Sequence, residues 1–149
     1  MLYFAYGSNM DPHQMKKRCP SSRFESVAIL PNHELAFTLR SKRRRCGVAN
    51  VLPCNDKNVF GVLYRINDFR DWRVLDAAEG FHPLHKRGNR YVRTTRKVKK
   101  LSGYPNYVIA FIYIGLIEKF PPPPNRTYLH QMIKGAKWHQ FPHHYLPVS

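Results

Sequence analysis

The sequence predicts an α+β protein, a small, mostly antiparallel β-barrel with flanking short helices. Three observations carry that prediction. Many short stretches are rich in Val, Ile, Tyr and Phe and end in Gly, Pro, Asn or Asp, the pattern of strands and turns. Only three stretches have helical character, and they do not alternate regularly with the strands, which disfavours a doubly wound parallel sheet. The chain has 149 residues, which suits one compact domain over 1–149, and closure into a barrel removes the exposed edges of so many strands.

Residues 1–6 alternate and are aromatic, so they read as a first strand. Gly7, Ser8 and Asn9 break it. Asp11 followed by Pro12 is an N-cap with proline at the first helical position, predicting a short helix over 12–19 that Pro20 ends. Residues 26–31 and 34–40 predict two strands around Pro31, Asn32 and His33. The basic run 42–45 is a loop tip. Residues 47–52 and 59–66 predict two more strands around a hairpin-type turn at 55–58. Asn67 or Asp68 caps a second helix, in which Phe69, Trp72, Leu75 and Ala78 form an apolar stripe and Gly80 occupies the position just past the end. Residues 81–89 are a loop, and 91–99 and 107–114 predict a pair of strands. Residues 121–124 are four prolines, stiff and extended, more suited to a rigid loop over the barrel than to a ligand for a proline-reading domain. A last helix over about 126–138 carries Tyr128, Leu129, Met132, Ile133 and Ala136 on or near one face. Trp72 and Trp138 are expected in the core.

Hydrophobic residues make up 43% of the chain, which excludes a disordered polyelectrolyte. No apolar run reaches the roughly 20 residues of a membrane helix, and the first residues lack the basic start of a signal peptide, so a cytoplasmic protein away from membranes is expected. Three cysteines (Cys19, Cys46 and Cys54) form no C-x-x-C pair, which argues against a disulfide framework or zinc site. The adjacent His143 and His144 read as surface residues. Charge is the unusual feature: 25 Lys plus Arg against 9 Asp plus Glu give a formal +16. The basic residues cluster at 16–18, 40–45 and 86–100 and read mainly as a solvated face, a surface that attracts polyanions non-specifically. No helix-turn-helix, zinc-finger or RNP-like pattern accompanies them.

Two places can carry chemistry. At Tyr6-Gly7-Ser8-Asn9 a strand runs through a glycine-containing turn into a helix start. Backbone N–H groups can converge there on a carboxylate or a developing oxyanion, although an ordinary tight turn has the same pattern. Glu79 stands at the end of the second helix, where the negative end of the helix dipole raises a carboxyl pKa and nearby cations lower it. A carboxylate near neutrality suits proton transfer. An exposed Glu on a frayed helix end is the plain alternative.

Taken in order, these features resemble the gamma-glutamylcyclotransferase family. The resemblance rests on Tyr6-Gly7-Ser8-Asn9, on Glu79-Gly80, on the Gly47 to Val51 and Val59 to Tyr64 strands, on Arg90-Tyr91-Val92, and on the prolines followed by Tyr128 and Gly135-Ala136-Lys137. It covers nearly the whole chain. It implies a small barrel and an enzyme that closes a gamma-glutamyl amide into 5-oxoproline and a free amine, with the α-amine as internal nucleophile. It further implies Glu79 as the catalytic acid/base. Tyr3, Phe4, Ala5, Tyr6, Gly7 and Ser8 would form the substrate loop, with the amides around Gly7 to Asn9 stabilising the oxyanion. Tyr128 would touch substrate, and Tyr91 and Tyr113 would line the cavity. The chemistry requires no cofactor, no metal and no Ser or Cys nucleophile, and the expected partner is a small gamma-glutamyl molecule.

One departure stands out. The loop after Glu79, with His82, His85, Lys86 and Arg87, is long and cationic and is expected at the pocket mouth, where it would favour an anionic leaving group. Two alternatives accompany the main reading: acyl transfer on a gamma-glutamylated biosynthetic intermediate, and a basic nucleic-acid-binding protein on the same scaffold.

Overall fold

A computed structural model describes residues 1–146. Five strands, β1 (Leu2–Ala5), β2 (Arg23–Ser41), β3 (Cys46–Arg65), β4 (Tyr91–Lys100) and β5 (Tyr107–Gly115), close a barrel in the order β1-β3-β2-β4-β5. Every pairing is antiparallel except β1 with β5, which meet in parallel at Tyr3 and Phe111 and complete the ring. Three helices flank it: α1 (Pro12–Arg18), α2 (Phe69–Ala78) and α3 (Arg126–Trp138). A short 3₁₀ turn, Ser8–Met10, joins β1 to α1. The expected α+β barrel is therefore found, and among the described residues no helix is long and apolar enough to cross a membrane.

The caps behave as their residue types require. Asp11 accepts from the His13 N–H at 3.1 Å with Pro12 at the first helical position, Asp68 accepts from Arg70 N–H at 2.8 Å, and Asn125 accepts from Tyr128 N–H at 2.8 Å. The four short strands expected between 26 and 66 are two long ones. Asn32 and Asp56 both adopt positive φ, 59° and 65°, which their short polar side chains tolerate. Asn32 Oδ1 accepts from Asp56 N–H at 3.2 Å, and the register shifts between Pro31 and His33 without ending the strand. The turn residues thus make a bulge inside one hairpin rather than a second hairpin.

The core lies inside the barrel and beneath the helices. Phe4, Leu63 and Ile112 fill the interior, and Met10, Met15 and Met132 seal the helical side; all are buried. Each such side chain contributes about 1.5–3 kcal/mol by leaving water. Gly135 lets α3 approach the 3₁₀ turn closely: a Cβ there would stand 2.6 Å from the Met10 carbonyl carbon. The proline segment lies over the start of β3, where Gly47 N–H donates to Pro123 O at 3.0 Å. Of the helical stripe, Trp72 and Leu75 are buried but Phe69 and Ala78 are exposed. At about 100° per residue, a strict three-residue repeat drifts halfway round the helix between 69 and 78. Trp138 is likewise corrected from core to surface, 63% exposed, packing its edge against His13.

Candidate active site

A cavity of about 460 Å³ opens at one end of the barrel. Tyr3, Phe4, Tyr6, Gly7, Ser8, Asn9, Glu79, Tyr91, Tyr113 and Tyr128 all line it, from five separate stretches of the chain. Ala5 does not. It is buried in β1, paired with Val62.

Glu79 owes its position to the way α2 ends. It is the C-cap residue, and Gly80 follows at φ +63°. Gly80 N–H donates to Ala77 O at 3.1 Å and Phe81 N–H to Asp76 O at 2.8 Å, the paired bonds of a Schellman ending. Arg90 N–H then donates to Gly80 O at 3.1 Å, so the turn is held from both sides. The carboxyl group, half-buried among phenols, is pushed up from 4.5 to about 7. Burial is the main cause. Arg18, Arg44 and Arg43 pull the other way and do not win.

The phenols are fixed by the backbone around them. Tyr6 donates to Tyr113 O at 2.5 Å, and Tyr91 donates to Ala49 O at 2.5 Å. Tyr128 accepts from Ala49 N–H at 3.0 Å. Tyr3 accepts from Asn9 Nδ2 at 3.0 Å, while Asn9 Oδ1 accepts from Gln14 at 2.8 Å and from Arg18 at 2.9 Å. Burial holds the pKa values of all four tyrosines above the ordinary phenol range, so they remain neutral donors or acceptors. In the turn, Met10 N–H donates to Gly7 O and Asp11 N–H to Ser8 O, both at 3.1 Å. The N–H groups of Gly7, Ser8 and Asn9 have no protein acceptor among the described residues. A Cβ on Gly7 would sit 3.3 Å from the Tyr128 hydroxyl, a close approach that the phenol would have to relieve by a few tenths of an ångström.

Several wall residues were not picked out in the sequence as part of a site. Arg18 and the tip residues Lys42, Arg43 and Arg44 were read as solvated runs, yet they face the cavity. Behind the wall, Asp76, one turn before Glu79, accepts from Tyr113 at 2.6 Å, and one guanidinium nitrogen of Arg93 donates to both of its oxygens at 3.0 Å. Spacing along α2 was the available signal for Asp76; no local signal separated Arg18 from its exposed neighbours. The cationic mouth also has a different origin from the one expected. Lys86 and Arg87 are exposed and outside the wall, to which the 81–89 loop contributes only His82 and Gly88. The charge comes instead from α1, from the β2–β3 tip and from Arg90.

Comparison with known proteins adds independent findings. Residues 3–140 match the family model described as gamma-glutamyl cyclotransferase, AIG2-like. A mouse gamma-glutamylcyclotransferase is 30% identical over 148 residues, covering 97% of this chain and 74% of that protein. A human gamma-glutamylcyclotransferase is 29% identical over the same coverage. A solved structure of a gamma-glutamyl cyclotransferase superposes with a TM-score of 0.82 at 27% identity, covering 95% of this chain and 81% of the other.

Proposed function

The chain belongs to the gamma-glutamyl cyclotransferase, AIG2-like family, and on that premise we propose that it releases 5-oxoproline and a free amine from a small gamma-glutamyl amide. The observation that carries this reading is Glu79: a carboxyl group poised near neutrality, in a cavity that also offers uncommitted backbone N–H groups.

The substrate's α-carboxylate and γ-carbonyl oxygen lie against the turn amides of Gly7 to Asn9, with Tyr3, Phe4 and Tyr6 enclosing the chain and Tyr91 and Tyr128 closing the sides. Folding the chain brings its α-amine onto its own γ-carbonyl carbon. Effective molarities of intramolecular attack lower such barriers by roughly 7–11 kcal/mol. Glu79 takes a proton from the α-ammonium, the freed amine attacks, and the carbonyl oxygen becomes an oxyanion held by backbone N–H donors. Collapse breaks the bond to the leaving nitrogen, which recovers that proton from Glu79, while the ring nitrogen gives up its second surplus proton to water to become the lactam N–H and the released amine takes one up from water. One carboxyl group serves both transfers, and its own charge is restored at the end. Arg18, Arg43 and Arg44 point toward a cavity of small-molecule size, which favours this reading over binding of a nucleic acid.

The test is a panel of gamma-glutamyl donors in which 5-oxoproline and the free amine are both quantified. Equimolar release of the two is expected. Glutamate in place of 5-oxoproline would mean hydrolysis and would overturn the cyclisation; transfer of the glutamyl group to an added amine would point to acyl transfer instead.

A further inference from the structure

The cavity wall carries six cationic side chains, those of Arg18, Arg40, Lys42, Arg43, Arg44 and Arg90, against one carboxylate, Glu79. Among the described residues only Arg90 has an ion-pair partner, Glu118 at 2.8 Å. A gamma-glutamyl group brings one carboxylate and one ammonium, so it cancels none of this charge. The unpaired positive charge of the wall is therefore available to the rest of the substrate.

The tip of the β2–β3 hairpin is also built rather than loose. Arg44 donates to Gln131 of α3 at 3.0 Å and to Gln14 of α1 at 3.1 Å. Its guanidinium lies 4.9 Å from the centre of the Tyr128 ring, and its carbonyl accepts from Asn125 at 3.1 Å. Arg44 therefore spends its fork on anchoring the tip, while the exposed neighbours Lys42 and Arg43 stay free to meet a ligand. Lys42, Arg43 and Arg44 line the same cavity as Glu79, and Arg43 and Arg44 lie near enough to lower its pKa.

We propose that the β2–β3 tip, through Lys42 and Arg43, forms a subsite for the leaving amine and selects amines that carry two or more negative charges, as carboxylates or as phosphate. The inference rests on the cyclotransferase reading above. It differs from a generic charge effect because it assigns the preference to two residues on a fixed loop.

The experiment compares kcat/KM for gamma-glutamylglutamate, gamma-glutamyl-O-phosphoserine, gamma-glutamylalanine and gamma-glutamyl-lysine amide. The glutamate and O-phosphoserine leaving groups, with two or more negative charges, are expected to be preferred over alanine by about tenfold, with lysine amide lowest. In the Lys42→Gln, Arg43→Gln double variant the ratio of these donors to the alanine donor should fall toward one, mainly through KM, and in the wild type 0.5 M salt should reduce it in the same direction. Equal values for these donors and the alanine donor, or a ratio that survives the double variant, would overturn the proposal. A lead of the phosphoserine donor assigns the subsite to phosphate, and a lead of the glutamate donor assigns it to carboxylates. Calorimetric binding of the same donors to Glu79→Gln separates this inference from the reaction. A binding preference without turnover in the wild type would sink the cyclotransferase reading and leave the anion subsite standing; equal affinities would sink the subsite.

Discussion

The Tyr128 hydroxyl accepts a hydrogen bond from the Ala49 backbone N–H at 3.0 Å. The Ala49 carbonyl in turn accepts from Tyr91 at 2.5 Å. One buried residue of β3 is thus clamped through both of its flanking peptide groups by phenols from α3 and β4. Replacing Tyr128 with Phe leaves the Ala49 N–H without its partner, at a cost of about 1–3 kcal/mol. The variant should melt several degrees lower, by about 2–4 °C per kcal/mol for a chain of this size. It should also show a raised KM, because the hydroxyl abuts Gly7. A thermal melt with steady-state kinetics reads both; an unchanged melting temperature would show that the clamp contributes little.

Activity should depend on pH through Glu79. Proton removal requires its carboxylate, so kcat/KM should rise with pH through a midpoint near 7, the value that burial imposes. Arg18 opposes that rise in pKa. Arg18→Gln should therefore move the midpoint upward, which a purely structural loss of the Arg18 bond to Asn9 would not do. A profile whose midpoint stays in place would remove Arg18 from the electrostatics of Glu79.

The same shift has a consequence for stability. The folded protein holds a proton on Glu79 between about pH 4.5 and about pH 7, where the unfolded chain has lost it. Stability from this group is fully present below pH 4.5 and is lost as pH rises through 7. Glu79→Gln fixes the neutral form and escapes the loss. Its urea midpoint should exceed that of the wild type at pH 8 by an amount equivalent to about 3 kcal/mol, with little difference at pH 4.5. An equal difference at both values would contradict a raised pKa.

Asp76 joins Tyr113 and Arg93 under the cavity, with its side chain 9% exposed and that of Arg93 23% exposed. Removing one partner of a largely buried pair leaves the other charge uncompensated. Asp76→Ala should destabilise by about 3 kcal/mol, seen as a lower urea midpoint. Arg93 also stacks over Trp72, Phe81 and Phe111, so the loosened guanidinium should disturb their near-ultraviolet signal.

Much of this was legible along the chain because it is local. Asp11-Pro12, Asp68 and Gly80 act within a few residues, and each caps or ends its helix as expected. The position of Glu79 followed from Gly80 in the same way. Asn32 and Asp56 were recognised as turn residues, but only the pairing of β2 with β3 decides whether a positive φ ends a strand or bulges it. The direction of the Glu79 shift was open, because helix dipole and cations oppose each other locally. Burial decided it, and burial is a property of the closed barrel. Arg18 and Arg44 are the half-buried members of runs in which neighbours such as Lys17 and Arg45 face solvent. Which member of a run turns inward depends on helices and hairpins far apart in the sequence.

The most direct test of the central claim is 5-oxoproline release by Glu79→Gln beside the wild type, on whichever donor the wild type turns over fastest. The carboxamide keeps the size of the side chain but cannot carry the proton, and loss of a general acid/base costs about 10²–10⁴-fold. We expect kcat to fall by at least about 10²-fold with the donor still bound. A variant that releases 5-oxoproline at the wild-type rate would contradict it and would move the search for the proton carrier elsewhere in the cavity.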